Sequence, residues 1–407
     1  MSTGIFNSAA FTQDLARKSF SGYITRLMPN GMAPLFGLTS MLKTETALAP
    51  EHGFFTKTML FPQVVIGAGG QTAVDTTWTV VNTNNILPGM LLRVDSSGEN
   101  VLVNSVISAT QLTVQRGVGS VAAATIAAAV ACYSIGTAYE EASLRPSALV
   151  INPVRITNLT QIFRNTWAVS DSVRVTQMIA GDSNDAESKQ DCSMFHATDI
   201  EKGIFFGQKS QGSRNGQPFR TMDGVIALIG NLSYYPSIYS SPNVFVAGGT
   251  TNYTQLQNFL EPLLNQATDP KSAGERLIFC GGTAKRVIND IGRVNGTYYL
   301  QNGATSYGLQ FSTFMTARGT FRLIEHPLFN SNTSWQKLAV VLDLSSFSLA
   351  YLGDRKTQSK DFNGRGEDAA DNGVDAVGGT LTTELTVLLK NPPANGVISN
   401  LTAAAQG

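Results

Sequence analysis

Residues 98–117 read GENVLVNSVISATQLTVQRG, with Val101, Val103 and Val106 ahead of the polar Ser108-Ala109-Thr110 and with Leu112 and Val114 beyond it. The alternation predicts two short strands joined by a turn. Around them, residues 63–137 carry further β-leaning runs, TTWTVV and MLLRV, punctuated by Pro88-Gly89 and by the SSG at 96–98. This pattern predicts a small antiparallel barrel or sandwich. The flanks GFFTKTMLF and SALVINPVRITNLTQIFRNTWAVSDSVRV are strand-like too, which places the small β unit at the tip of a long two-stranded excursion.

After residue 181 the period becomes helical. Asn184 and Glu187 stand at capping-box spacing, and Ala186, Ser193, Ala197, Ile200 and Ile204 share one face. Asp185 and Lys189 add an i,i+4 pair. With an end near Gly203 or Gly207, the helix spans about 20–25 residues, roughly 30–38 Å, and reads as a long isolated strut. Beyond Thr221 the pattern is mixed α/β. Tyr253, Leu256, Leu260, Leu263, Leu264 and Ala267 mark an amphipathic helix interrupted by Pro262. ERLIFC (275–280) predicts a buried strand running into a helix that starts near Thr283, and GTFRLIEHPLF and WQKLAVVLDL predict strands. Residues 354–379, polar and rich in glycine, predict a mobile loop, and LTTELTVLLKNP a final strand.

Composition narrows the function. A chain of 407 residues is long enough for two or three cores. Charged residues are 14% of it, against about 25% in ordinary soluble domains, so much of the surface is expected to be neutral or covered. Residues 63–137 hold five charged side chains (Asp75, Arg93, Asp95, Glu99, Arg116) and no lysine. Twenty-nine basic and 29 acidic residues leave no excess for neutralising phosphates, and such low charge favours association. Cys132, Cys192 and Cys280, far apart and odd in number, suit free thiols. The amino terminus lacks the apolar core of a signal peptide, and the longest nearly apolar run (121–133) falls short of the ~20 residues of a membrane span, so a soluble, non-exported protein is expected.

Candidate chemistry is sparse. Gly281-Gly282 at a strand-to-helix turn could expose amides to a phosphate, but it matches no nucleotide fingerprint and reads better as a tight turn with Thr283 as cap. The glycines of GAGG (67–70) read as a loop. Cys192 and His196, four apart with Asp199 one turn on, have a spacing that metals use, yet His52 and His326 are remote and helix packing is the stronger reading. Asp199 and Glu201 fall on different sides of the helix, unlike an acid/base pair. Tyr234-Tyr235 and Tyr298-Tyr299 are not interleaved with basic residues and read as packing. No catalytic, cofactor-binding or metal residue is assigned.

The stretches LRVDSSGENVLVNSVISATQLTVQRGVG, IGTAYEEASLRP, TQIFRNTWAVS, EKGIFFGQKS, TMDGVIALI, RLIEHPLF and LAVVLDLSSFSLAYLGDR, in this order, resemble the major capsid proteins of tailed bacteriophages. The resemblance implies an α+β Hong-Kong-97-like fold with a small all-β domain inserted in its extended loop. It implies an N-terminal arm at 1–50, an extended loop at 51–62 and 138–180, and the inserted domain at 63–137. A peripheral domain with the spine helix would take 181–222 and 341–407, and an axial domain 223–340. Implied also are hexamers and pentamers of an icosahedral virion shell around double-stranded DNA, assembled in the host bacterial cytoplasm without a membrane. Portal, separate scaffolding and decoration proteins would be partners. The scaffold is expected to be separate because about 50 residues precede the extended loop. The absence of lysine between Lys57 and Lys189 implies a shell without lysine–asparagine crosslinks. Two other readings stay open: an encapsulin-like compartment, and a nucleotide-using α/β enzyme centred on Gly281-Gly282.

Overall fold

A computed structural model describes residues 34–39, 44–57, 61–150, 152–176, 183–231, 242–265, 274–294, 301–306, 309–363 and 375–405. The chain divides into two compact units, Met1–Phe54 with Arg155–Gly407, and Phe55–Val154. Strands and helices are numbered in chain order.

The larger unit holds a mixed seven-stranded sheet. Its order is Val244–Thr251 (β13), Gly396–Ala404 (β22), Ala339–Leu342 (β18), Glu275–Cys280 (β14), Thr320–Glu325 (β17), Leu309–Met315 (β16) and Gln301–Ser306 (β15). The central strands are apolar in both phases of the alternation, which is what a sheet covered on both faces requires. Ile278, Cys280, Ala339 and Val341 face a core built with the helices Tyr253–Leu264 (α5) and Gly282–Val294 (α6). Leu277, Phe279, Val340 and Leu342 face a second core. That second core also takes Ile200, Ile204 and Phe205 from the helix Asn184–Phe206 (α3) and Val225, Leu228 and Ile229 from the helix Val225–Gly230 (α4).

A second sheet closes the same core. Ala376–Leu389 (β21), 14 residues and so about 46 Å at ~3.3 Å per residue, pairs antiparallel with Gln161–Ser170 (β10) along one edge. Gln358–Asn363 (β20) and Phe347–Leu352 (β19) take successive stretches of its other edge, and Glu45–Ala47 (β1) adds in parallel to β19. Leu385, Val387 and Leu389 of β21 point into the core shared with α3. Beside these lie the helices Pro34–Thr39 (α1) and Asp171–Val175 (α2) and the hairpin of Ser210–Arg214 (β11) and Gln217–Thr221 (β12). Asn215 and Gly216 both have positive φ in its turn, the backbone a two-residue hairpin needs. Glu51–Thr56 (β2) and Val154–Leu159 (β9) pair as a separate two-stranded sheet.

In the Phe55–Val154 unit, six strands follow the order Gln63–Val65 (β3), Ala131–Thr137 (β8), Met90–Val94 (β5), Asn100–Ser108 (β6), Gln111–Gln115 (β7) and Thr77–Thr79 (β4). The Ile66–Val80 bridge, with Gly67 N donating to Thr79 O and Val81 N to Val65 O, joins the first strand to the last and closes a barrel. Trp78, Leu92, Val94, Val101, Leu112, Ile126 and Cys132 fill it. The stretch 98–117 supplies its longest hairpin, β6–β7, with Val101, Val103, Leu112 and Val114 inward as the alternation predicts and Val106 half-buried.

Several expectations need correction. The N-cap of α3 is Ser183, whose hydroxyl accepts from Ala186 N, so the capping box on Asn184 does not form. Asp185 pairs with Arg174 and Lys189 with Asp361, each partner reached through tertiary structure instead of along the helix. Far from an isolated strut, α3 buries Cys192, His196, Ile200, Glu201, Ile204 and Phe205. DSVRV (171–175) is helical, and 3-10 turns at Pro327–Ser331 and Trp335–Lys337 shorten the two expected strands. The stretch 354–379 contains β20 and the start of β21, and β22 follows as the last strand. Ala267, Tyr234-Tyr235, Tyr298-Tyr299 and most of 1–50 lie outside the described residues.

One ion pair organises the barrel's loops. Glu99 and Arg116 meet through two hydrogen bonds of 2.8 Å, both side chains almost fully buried, with the guanidinium 5.2 Å from the Trp78 ring centroid. Arg116 also donates to Thr72 O and Ala124 O, and Glu99 accepts from Gly117 N and Ala124 N. Burial pushes the Glu99 carboxyl up, but the Arg116 side chain and the two amides outweigh it and hold the carboxyl below its ordinary value. Removing one partner of a buried pair strands the other. Arg116→Ala is expected to destabilise the barrel by about 3–5 kcal/mol, read as a lower denaturation midpoint for peptides of 63–137 in urea-dependent hydrogen exchange, with β14 peptides unmoved.

Candidate functional site

The strand-to-helix turn at Gly281-Gly282 is filled by the chain's own atoms. Gly281 N donates to Leu338 O, and Gly282 N to Asn330 Oδ1 at 2.7 Å. A Cβ on Gly281 would lie 2.5 Å from the Gln336 backbone, so close approach of two chain segments accounts for this glycine. Glu325, bonded to Asn330 Nδ2 and 3.6 Å from Lys285 Nζ, puts an acid where a phosphate would bring another. At 67–70 the glycines make a turn, Gly70 N donating to Gly67 O.

Cys192, His196 and Asp199 do not converge. The Asn165 amide donates through Nδ2 to Asp199 and presents Oδ1 to His196 Nδ1 at 2.7 Å, so Nδ1 carries the proton and Nε2 accepts from the Thr383 hydroxyl at 2.7 Å. Burial lowers the His196 pKa against the opposing pull of Asp199, keeping the ring neutral. Cys192 packs with Trp167, Val169 and Leu381. No cluster of metal-ligating side chains occurs among the described residues.

What the larger unit does contain is a set of buried polar junctions that sequence reasoning missed. Glu384 on β21, fully buried, accepts from Thr160 Oγ1 at 2.8 Å, Arg355 Nη1 at 2.5 Å and Arg220 Nη2 at 3.4 Å, tying together β21, the β9–β10 turn, β12 and the turn before β20. The Asn158 amide donates to Asp223 O and Val387 O while its oxygen accepts from Asp223 N. Glu201 on α3 accepts from Leu35 N, Phe36 N and His326 Nε2. Each acid or amide joins segments more than 60 residues apart, and nothing in its local sequence names the partner.

The smaller unit offers surface instead. All residues of 135–150 are exposed, with Leu144 at 91% and Val150 at 70%. At its start Ala138 N donates to Gly89 O and the Tyr139 hydroxyl to Pro88 O. A cleft of about 1140 Å³ lies between this run and the barrel rim at Leu102, Val103, Asn104 and Gln115. On the barrel's outer wall Tyr133 and Ile135 are exposed as well. A charge-poor surface with bare apolar side chains is a signature of an association surface.

The whole chain has a full-length counterpart. It is 38% identical over 413 residues to the major capsid protein of Pseudomonas phage PaMx41, covering 99% of this chain and 97% of that one, and residues 2–402 match the SU10 major capsid protein family. The chain belongs to the SU10 major capsid protein family. Its role is structural, as a capsid-forming component of a phage virion. The fold is similar to the capsid chain of a native GTA particle (TM-score 0.51, 8% identity, 99% of this chain and 100% of that chain) and of an empty GTA particle (TM-score 0.50, 9% identity, 98% and 100%). The expected α+β, Hong-Kong-97-like architecture is thereby established. No described helix is long and apolar enough to cross a membrane.

All three cysteines are buried and free. Burial pushes the Cys132 and Cys280 thiols up to about 12 and raises Cys192 as well. A thiol reagent at pH 8 should therefore label no cysteine in the native chain and all three in guanidinium, followed by mass spectrometry; native labelling of Cys192 would place it outside the α3–β10–β21 packing.

Proposed function

We propose that copies of this chain form hexamers and pentamers that close into an icosahedral shell around double-stranded DNA, held without reading its sequence. In this reading 1–50 is the arm and 51–62 with 138–180 the extended loop. The barrel at 63–137 is an inserted module, and α3 is the spine helix of a peripheral domain at 181–222 and 341–407. The axial domain is 223–340, its sheet taking in β22 from the C-terminal end. Assembly takes place in the host cytoplasm with a separate scaffolding protein, and portal and decoration proteins complete the particle.

The observation that carries this is the bare run 135–150 beside a barrel whose five charged residues include the buried Glu99–Arg116 pair. A neighbouring copy covering that run would remove Leu144, Leu149 and Val150 from water, at about 25 cal/mol per Å² of apolar surface. The barrel then adds non-covalent area where a lysine crosslink is not available. Lys57 lies at the end of β2, and Lys189 sits on α3, engaged with Asp361 and near the Trp167 ring.

Negative-stain microscopy of the chain co-expressed with its scaffolding partner should show uniform closed shells containing DNA after packaging. A population that stays monomeric would overturn the reading, and shells loaded with an enzyme would favour a compartment. Boiled in SDS with reductant, shells are expected to give one band near 43.4 kDa; a ladder of multimers would show covalent linkage.

A further inference from the structure

Glu201 is the meeting point of three distant segments. Its side chain is fully buried on α3. Oε1 accepts from Leu35 N at 2.8 Å and from His326 Nε2 at 2.8 Å, and Oε2 accepts from Phe36 N at 2.7 Å. Leu328 N donates to His326 Nδ1, so that nitrogen holds a lone pair and Nε2 holds the proton given to Glu201. The ring is fixed by stacking on Phe329 at 4.5 Å and by edge contacts with Phe205 and Phe279. His326 and α3 thus form a rigid cup with a carboxylate floor and aromatic walls. The Leu35 side chain is fully buried in the same core, and Phe36 packs against it. Ten residues on, β1 gives the segment a second hold, pairing with β19 and burying Ala47.

We propose that the segments 34–39 and 45–47 act as one strap that docks on the finished core of the larger unit, and that Glu201 is its latch. Two of the three hydrogen bonds to Glu201 come from the strap. Lifting α1 alone would leave a buried carboxylate with one neutral partner and an empty slot where Leu35 sits. A half-open state is therefore disfavoured: the strap is seated, or the cup has opened to water. Such an all-or-none element is suited to switching.

The test is hydrogen exchange on unassembled full-length subunits. In E201Q the side chain presents an NH₂ to one of the donors it normally accepts from. Exchange in peptides covering 34–39 and 45–47 should rise at least tenfold while β14 and β18 peptides stay protected. A47D puts a charge where Ala47 packs with Ala350 and Leu388 and so unseats β1; in an all-or-none strap it should raise exchange at 34–39 as well. The proposal is overturned if E201Q keeps 34–39 protected, if A47D loosens 45–47 alone, or if protection is lost equally at β14.

Discussion

Burial of β14 and β18 on both faces is the constraint on which the larger unit depends. A sheet apolar on both sides cannot face water on either, so each face has to recruit cover. One face takes α5 and α6, which follow or precede the central strands closely in sequence. The other is reached from afar, by α3, α4 and the inward side of β21 and β19. The five-stranded sheet is in this sense a lid over the second core, and its long strand β21 extends past that core to hold β10 and β20.

The larger unit buries acids and amides as well as hydrocarbons. Glu201, Glu384 and Asn158 lie where several segments cross, and each is saturated with donors or acceptors from those segments. Hydrophobic packing is tolerant of small shifts, but a buried carboxylate is satisfied only in one arrangement. These junctions therefore specify how α1, β12, β21 and the segment after β17 meet, while the apolar cores supply most of the driving force.

Periodic features were legible in the sequence. The alternation at 98–117 gives β6 and β7, the doubly apolar ERLIFC gives β14, and the helical period after 181 gives α3, ending at Phe206 before Gly207. The resemblance carried by the quoted stretches led to the same family that full-length identity establishes. What failed was whatever depends on partners distant in the chain. Asp185–Lys189 reads as a helical pair, yet Arg174 and Asp361 compete for those charges. The stretch 354–379 reads as loop because Gln358–Asn363 has no apolar alternation of its own and becomes a strand by pairing along β21. His326 and Glu201, 125 residues apart, carry no local sign of their bond. For Cys192 and His196 helix packing is the favoured reading, but their partners, Trp167, Val169 and Leu381 for the thiol and Asn165 and Thr383 for the ring, are not written in the helix.

Leu144 and Val150 in the run 135–150 and Tyr133 and Ile135 on the barrel wall are bare apolar side chains. In the proposed shell a neighbouring copy covers them. A cryo-electron microscopy reconstruction of assembled particles tests this most directly, at a resolution that shows side chains. The account predicts that a neighbouring copy lies over 135–150, with Leu144 and Val150 losing most of their exposed area in hexamers. If that run and the barrel wall remain open to solvent in every copy, the surface is not an assembly surface and the account is wrong.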